Sequence, residues 1–541
     1  MTTLLDNTMK KPRIEDDKRK RQAFAFLQAI LADLREIQTT SNNEHEIKAV
    51  LHRVPDPYDN TKAPQNVIIR QADHVFWKTA ISELEQEDAP TRMAVVGTPG
   101  IGKSITAVCY AIRLLLLRKR RVVYVQRTPE RQDDYYMEWI PSHNTTTTIA
   151  EEVEIEIHPE TLSPTEIPSL SHKSTYYIVD PGKTTTTCNP SARVAARVII
   201  VASSNERHWG GASFEKDDQQ SLGGFLRYFP MWSLAQLKAA WPLLRTTPVD
   251  DDKVAELYSV FGGIPRYIFA PERTMQQMKE DLQRRVDSLA VLQVRDLVTG
   301  QLNRHSGFLG EGQPGIVAFV PLDDDYTDVE LKLASTSIVE WMRIRFLDAI
   351  WTDLAIYPTP IAWQLLEDYM RSSLQNRIQW NVRPCCFGKL NVAYNHTQQL
   401  QSHTLGPCTE KTLVEDCTAS VLHGSNGALF YQSSFDSSSH PLCNMMIYRV
   451  DSIFYAFQVP RVGKSQDDVK QQTQQHIDAL VQRLEIGTHG KELRLYYAVH
   501  EAVFDHYVVT NSVSVKYDAV PGVSVFHLRL VKNGLGTSAT S

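Results

Sequence analysis

The chain has 541 residues, 42% of them hydrophobic and 22% charged, which is the composition of ordinary globular protein and too much length for one compact core. Collagen-like and wholly disordered classes are excluded, and two or three domains are expected. A formal net charge of -6 excludes an overall basic field, so any nucleic-acid contact must come from a local patch.

Residues 1–22 form a basic tail with two clusters, Lys10-Lys11-Pro12-Arg13 and Lys18-Arg19-Lys20-Arg21. Nuclear import signals and solvated chain ends share that pattern, and both readings stay open. The start is polar and then basic, without the apolar run of a signal peptide, and no stretch reaches the roughly 20 apolar residues of a membrane span. No membrane partner is expected. Residues 23–74 are expected to be helical. Phe24, Phe26, Leu27, Ile30, Leu31, Leu34 and Ile37 recur at helical spacing and predict one amphipathic helix from Gln22 to about Val50.

Residues 75–270 alternate β-rich runs with helical stretches, the pattern of an α/β domain on a largely parallel sheet. The predicted strands are Met93–Val96, Val122–Val125, Tyr176–Val179 and Val198–Ala202, with threonine runs at 145–148 and 184–187 read as surface loops. Residues 271–379 read as a helical connector, with helical patterns at Met275–Leu297 and Val329–Leu354. Over 380–533 strands return, including Met445–Val450, Ile453–Val459, Leu493–Val499 and Val523–Leu530, with a helix from about Asp467 to Leu484. Residues 534–541 are a small polar tail. The seven cysteines are scattered with no C-x-x-C pair for zinc, and a reducing compartment is the simplest inference.

Gly97-Thr98-Pro99-Gly100-Ile101-Gly102-Lys103-Ser104 fits the phosphate-loop pattern G-x-x-x-x-G-K-[ST]. It follows an apolar strand and precedes the helical run Ile105–Leu117. Glycines at such a turn let backbone N–H groups face phosphate oxygens at a helix N-terminus. Lys103 is then expected at the β/γ-phosphates and Ser104 on magnesium. Asp180, at the end of Ser174–Val179, is the expected acidic partner of the metal, against a plain turn at Asp180-Pro181-Gly182. No glutamate follows it to activate water, so rapid hydrolysis is not expected. Ser203-Ser204-Asn205 could orient water or could be an ordinary strand exit. Arg266, in Phe261-Gly262-Gly263-Ile264-Pro265-Arg266, could grip phosphate or lie on the surface after a helix cap. The expected ligand is ATP or GTP with Mg2+.

The order of these motifs, with Met231-Trp232-Ser233-Leu234 and Leu237 between the serine pair and Phe261–Tyr267, resembles the NTPase module of Crinkler and retrotransposon hot spot proteins over about residues 75–270. The resemblance implies an α/β fold: a STAND-like P-loop NTPase followed by a PD-(D/E)xK restriction-endonuclease-like domain. Its nuclease site would fall on Asp451 and Gln458, with Asp451 on metal. The family's aromatic-Gln-x-Thr stretch is matched by Phe457-Gln458-Val459, but Pro460 stands in place of the threonine, leaving Arg461 or Lys464 to supply a cation. An upstream acid is expected, with Glu340 the candidate; a plain β-hairpin is the alternative. The implied function is an ATPase coupled to a nuclease-like domain acting on or contacting DNA. A nucleotide-dependent oligomer belongs to the same expectation, as does work in a nucleus, the chain's own or a host's. The alternative from a different class is a non-enzymatic, nucleotide-gated switch on a degenerate nuclease fold. A small-molecule kinase ranks below both, because no lid-like arginine cluster follows the loop.

Overall fold

The computed structural model describes residues 5–32, 35–36, 47–58, 62–126, 135–142, 153–159, 162–181, 194–202, 224–245, 251–300, 315–356 and 359–374. It further describes 379–384, 401–404, 410–413, 428–431, 445–450, 453–458, 490–500, 523–530 and single positions between 477 and 521. Contacts divide the chain into two compact units: Met1–Leu282 with Arg304–Ala334, and Gln283–Asn303 with Ser335–Ser541.

In the first unit the N-terminal helix runs Leu5–Leu31 and stops well short of Val50. It is followed by a three-stranded antiparallel sheet of β1 (Arg35–Glu36), β2 (Ile47–Val54) and β3 (Gln65–Arg70). The helical spacing continues in the sequence past Leu31, but the chain is already strand at Arg35. Beyond it the run Ile47–Leu51 is rich in buried β-forming side chains. The helix is tied down by Ala23, Phe26, Leu27 and Ile30, all fully buried, and by Arg113, whose guanidinium donates to the carbonyl oxygens of Ile30 and Ala32 at its C-terminus.

The centre of this unit is a seven-stranded sheet. Its strands are β4 (Arg92–Val96), β5 (Arg121–Gln126), β6 (Tyr135–Pro141), β7 (Val153–Pro159), β8 (Thr175–Asp180), β9 (Arg197–Val201) and β10 (Gly224–Tyr228), in the order β10-β4-β9-β8-β5-β6-β7. The first five are parallel and β6 and β7 extend the sheet antiparallel. Parallel strands are covered on both faces and read as unbroken apolar runs; every residue of β4 and β8 is buried accordingly. The antiparallel pair β6 and β7 carries charge on one face, where Glu138 lies opposite Glu156.

A hairpin of β11 (Val317–Pro321) and β12 (Val329–Leu333) packs beside β10. Phe319 stacks on Tyr228 at 6.2 Å, and the Tyr228 N–H donates to the Tyr326 carbonyl at 2.9 Å. Residues 329–333, expected as helix, are therefore a strand. Val329-Glu330-Leu331-Lys332-Leu333 alternates with period two. The helix begins only at Thr336, where the Ser335 hydroxyl accepts from the Ile338 N–H at 3.3 Å.

The second unit joins the helices Val291–Thr299, Thr336–Ile356 and Pro360–Leu374 to an eight-stranded mixed sheet. Its strands are β13 (Gln379–Pro384), β14 (Gln401–Thr404), β15 (Glu410–Leu413), β16 (Ala428–Tyr431), β17 (Met445–Val450), β18 (Ile453–Gln458), β19 (Glu492–His500) and β20 (Val523–Leu530). β16, β17 and β18 form an antiparallel meander, and β19 then lies parallel to β18. A parallel return needs a crossover, and Ile477, Leu480 and Leu484, fully buried at helical spacing, mark the helix that makes it. No helix among the described residues is long and apolar enough to cross a membrane.

Candidate functional site

β4, flanked by β10 and β9 among the parallel strands, ends at Val96, and the chain turns through Gly97–Gly102 into the helix that starts at Lys103. That helix continues through a π-helical turn at Ala107–Ala111 to Leu117, so its first N–H groups open on the loop. Gly100 has φ +90°, and a Cβ there would lie 3.0 Å from Ile264 Cγ2 and 3.1 Å from Arg266 Cβ. Only glycine meets both the backbone angle and the close approach of the 264–266 segment.

Lys103 is buried, and its ammonium donates to the carbonyl oxygens of Gly97 at 2.8 Å and Thr98 at 2.9 Å. Burial, then the nearby Arg266 guanidinium, push its pKa down to about 7, against the opposing pull of Asp180. The three charged residues expected to handle phosphate thus lie within electrostatic reach of one another, although Asp180 is 77 residues and Arg266 163 residues beyond Lys103 in the sequence. Asp180 is buried at the carboxyl end of β8, beside Gln126. β9 separates β8 from β4, a lateral offset of roughly 10 Å from two strand spacings. Ser104 is half-buried at the start of the helix and Arg266 is exposed. A carboxylate, a hydroxyl and a lysine at the carboxyl ends of parallel strands are hard oxygen donors and a cation, a set suited to a magnesium-bound polyphosphate. Ser203-Ser204-Asn205 lie outside the described residues.

The two stretches singled out beyond the loop both touch it. The Trp232 indole N–H donates to the Ile101 carbonyl at 3.0 Å, and the Arg266 N–H donates to the Gly100 carbonyl at 3.3 Å. They also lock to each other: a Cβ on Gly263 would sit 2.0 Å from the Trp232 carbonyl oxygen. Ser233 caps the helix Leu234–Leu244, accepting from the Gln236 N–H at 3.2 Å while Gln236 Oε1 accepts from the Ser233 N–H at 3.2 Å.

Three contributors were not singled out from the sequence. Arg70, at the end of β3, is fully buried and paired with Asp73. Phe319, in the hairpin, donates its N–H to the Thr98 hydroxyl at 3.0 Å. Asp73 stands three residues into a helix whose cap it completes, and that spacing was a readable signal. Nothing local to Phe319 marks a residue 221 positions from Thr98 as part of the site.

In the second unit, Gln458 ends β18, paired with Met445 and Tyr497. Asp451, Pro460, Arg461 and Lys464 lie outside the described residues, and Glu340 is exposed on the helix Thr336–Ile356. Elsewhere, Glu138, Glu156 and His158 bring ligand atoms within 4.8 Å of one another. Glu138 Oε2 is 2.6 Å from His158 Nε2, and Arg121 lies 3.6 Å from its other oxygen. Burial alone would raise the Glu138 carboxyl; the hydrogen bond and charge of His158, with Arg121, outweigh it and leave the group below its ordinary value. The carboxylate is already engaged by His158 and Arg121.

No family model matches the chain, and no curated protein matches it.

Proposed function

We propose that the first unit is a P-loop ATPase module of the kind shared by Crinkler and retrotransposon hot spot proteins, binding ATP or GTP with magnesium. The observation that carries this reading is the buried Lys103 ammonium, held over the loop carbonyls with Arg266 and Asp180 in electrostatic reach. The place of the loop at the carboxyl end of β4, a strand with a parallel neighbour on each side, supports it. Ser104 and Asp180 would hold magnesium, which neutralises phosphate charge when bound. Lys103 offsets negative charge on the β/γ-phosphates, loop N–H groups orient them, and the Gly100–Arg266 contact closes one side of the loop. Pro181 follows Asp180, so no carboxylate stands there to take a proton from water, and slow turnover is expected. Loss of nucleotide binding in Lys103→Ala is the test.

A pH dependence follows. With Lys103 near 7, its charged form is scarce above that pH, and a phosphate anion favours the charged form. Binding then takes up a proton, and MgATP affinity falls above pH 7, approaching about tenfold per pH unit. Calorimetry from about pH 6 to about pH 9 checks this; flat affinity would separate Lys103 from the phosphate. The stability effect has the opposite sense. The folded value lies below the ordinary 10.5, so the unfolded chain binds more protons between about 7 and 10.5, and this group's contribution to stability rises with pH across that window.

For the second unit we propose a nuclease-like fold that contacts DNA; the meander followed by a parallel strand supports an endonuclease-like core. A nucleus, the chain's own or a host's, and a nucleotide-dependent oligomer are part of this proposal. One observation favours the non-enzymatic switch instead: Pro460, which supplies neither a hydroxyl nor a cation, stands two residues after Gln458 where the resembled pattern has threonine. The expected result on supercoiled plasmid with Mg2+ and ATP is therefore phosphate release without nicking. Nicking that disappears in Asp451→Ala would reverse this order of readings.

A further inference from the structure

The guanidinium of Arg70 is engaged at every nitrogen. Nε donates to both Asp73 oxygens, at 3.0 and 3.1 Å, and Nη2 donates to Asp73 Oδ1 at 2.5 Å. Nη2 also reaches the Pro230 carbonyl at 2.9 Å, while Nη1 reaches the Met231 carbonyl at 2.7 Å and Gln236 Oε1 at 3.1 Å. Arginine offers five N–H donors in a fixed fork, and these partners take them all. The same group lies over the Trp232 ring at 4.7 Å and the Phe229 ring at 5.7 Å. Both Arg70 and Asp73 are fully buried.

Every partner but Asp73 belongs to residues 229–236, which leave β10 and pass along the phosphate loop. This strap then touches the loop through the Trp232 indole on the Ile101 carbonyl and through Met231 Sδ, 3.6 Å from the Thr98 hydroxyl. A chain of direct contacts runs Asp73, Arg70, strap, loop. Its first two members are fixed by β3 and by the cap of the helix Gln71–Leu84, where the Arg70 N–H donates to Asp73 Oδ2 at 2.9 Å. A buried charge pair is weak evidence for stability, since apolar residues fill the same space at less desolvation cost. What the fork supplies that apolar packing does not is direction, because it fixes two adjacent carbonyls and one amide at once.

We propose that Arg70 is a positioning residue that sets the backbone shape of the phosphate loop through the 229–236 strap, and thereby the affinity of the loop for a nucleoside triphosphate. The effect on affinity rests on the nucleotide reading of the first unit; the effect on the loop backbone does not.

The test compares the wild-type chain with Arg70→Lys and with the neutral double variant Arg70→Gln/Asp73→Asn. The double variant is used because losing Arg70 alone strands a buried carboxylate, whereas the asparagine side chain can still cap the helix. Two quantities are measured: amide hydrogen exchange of residues 97–104 against that of β5 and β8, and MgATP affinity by calorimetry. Both variants are expected to speed exchange in 97–104 while β5 and β8 keep wild-type protection, and the double variant to bind MgATP at least about tenfold more weakly. Arg70→Lys keeps the ion pair without the fork and moves both quantities in the same direction by less. Exchange that rises throughout the first unit, or is unchanged in 97–104, overturns the proposal, as does unchanged affinity in a chain that binds MgATP. If the wild-type chain binds no MgATP but exchange changes only in 97–104, the nucleotide reading fails and the hold of Arg70 on the loop stands.

Discussion

Replacing Lys103 by alanine is expected to lower MgATP affinity at least about a hundredfold, or about 2.7 kcal/mol, while the chain stays folded. The reason is an asymmetry between the two states. In the protein alone, the ammonium is desolvated and pushed down to about 7, so its removal relieves a burial cost while releasing two backbone carbonyls, Gly97 and Thr98. With a polyphosphate bound, it is the cation directed at the most charged oxygens, where charge-assisted bonds are strongest. Calorimetric titration with MgATP and a thermal melt decide the matter together. Wild-type affinity in the variant would remove the lysine from the phosphate site and with it the proposed ATPase module; a collapsed melt would show a structural role instead.

Gly263→Ala is expected to be the most damaging single-methyl change in this region. The added carbon would lie 2.0 Å from the Trp232 carbonyl oxygen and 3.0 Å from two further backbone atoms of Trp232, and backbone cannot rotate out of the way as a side chain can. Either Trp232 leaves the Ile101 carbonyl or the 264–266 segment leaves Gly100. Overpacking of this severity costs about 3 kcal/mol or more, a fall in melting temperature of roughly 5 °C or more for a unit of this size. Gly490→Ala is the control. Its φ of +72° strains any side chain, but nothing lies within 4 Å, so about 1 kcal/mol is expected. Equal melting temperatures for the two variants would mean that the Trp232–Gly263 contact is not as close as described.

The difference between what was and was not legible follows sequence distance. β4, β5, β8 and β9 were readable as buried parallel strands because each is a short, unbroken apolar run, and the loop at 97–104 because its chemistry is contiguous. Asp180 and Arg266 were nameable as candidates because each ends or follows a local pattern. β6 was missed: Tyr135–Pro141 carries Glu138 in the middle of an otherwise apolar run, and its ion pairs come from other strands. The first helix was drawn too long because its apolar spacing runs on in the sequence past Leu31, where the helix ends and a strand soon follows. Arg70 was beyond reach for a different reason. A lone arginine before a helix reads as solvated, and what makes it a keystone are carbonyls 160 and 161 residues away, which carry no side-chain signature at all.

The hairpin of β11 and β12 means that the sheet unit is not one stretch of chain. A protein ended at Leu282 would retain every residue of the 97–104 pattern yet lose the amide of Phe319 from Thr98, the carbonyl of Tyr326 from Tyr228, and the ring stacked on Tyr228. The smallest portable piece is therefore discontinuous: an excised module must carry residues 315–334 with it. Residues 283–303 belong to the second unit, so that unit too is made of two separate stretches of chain.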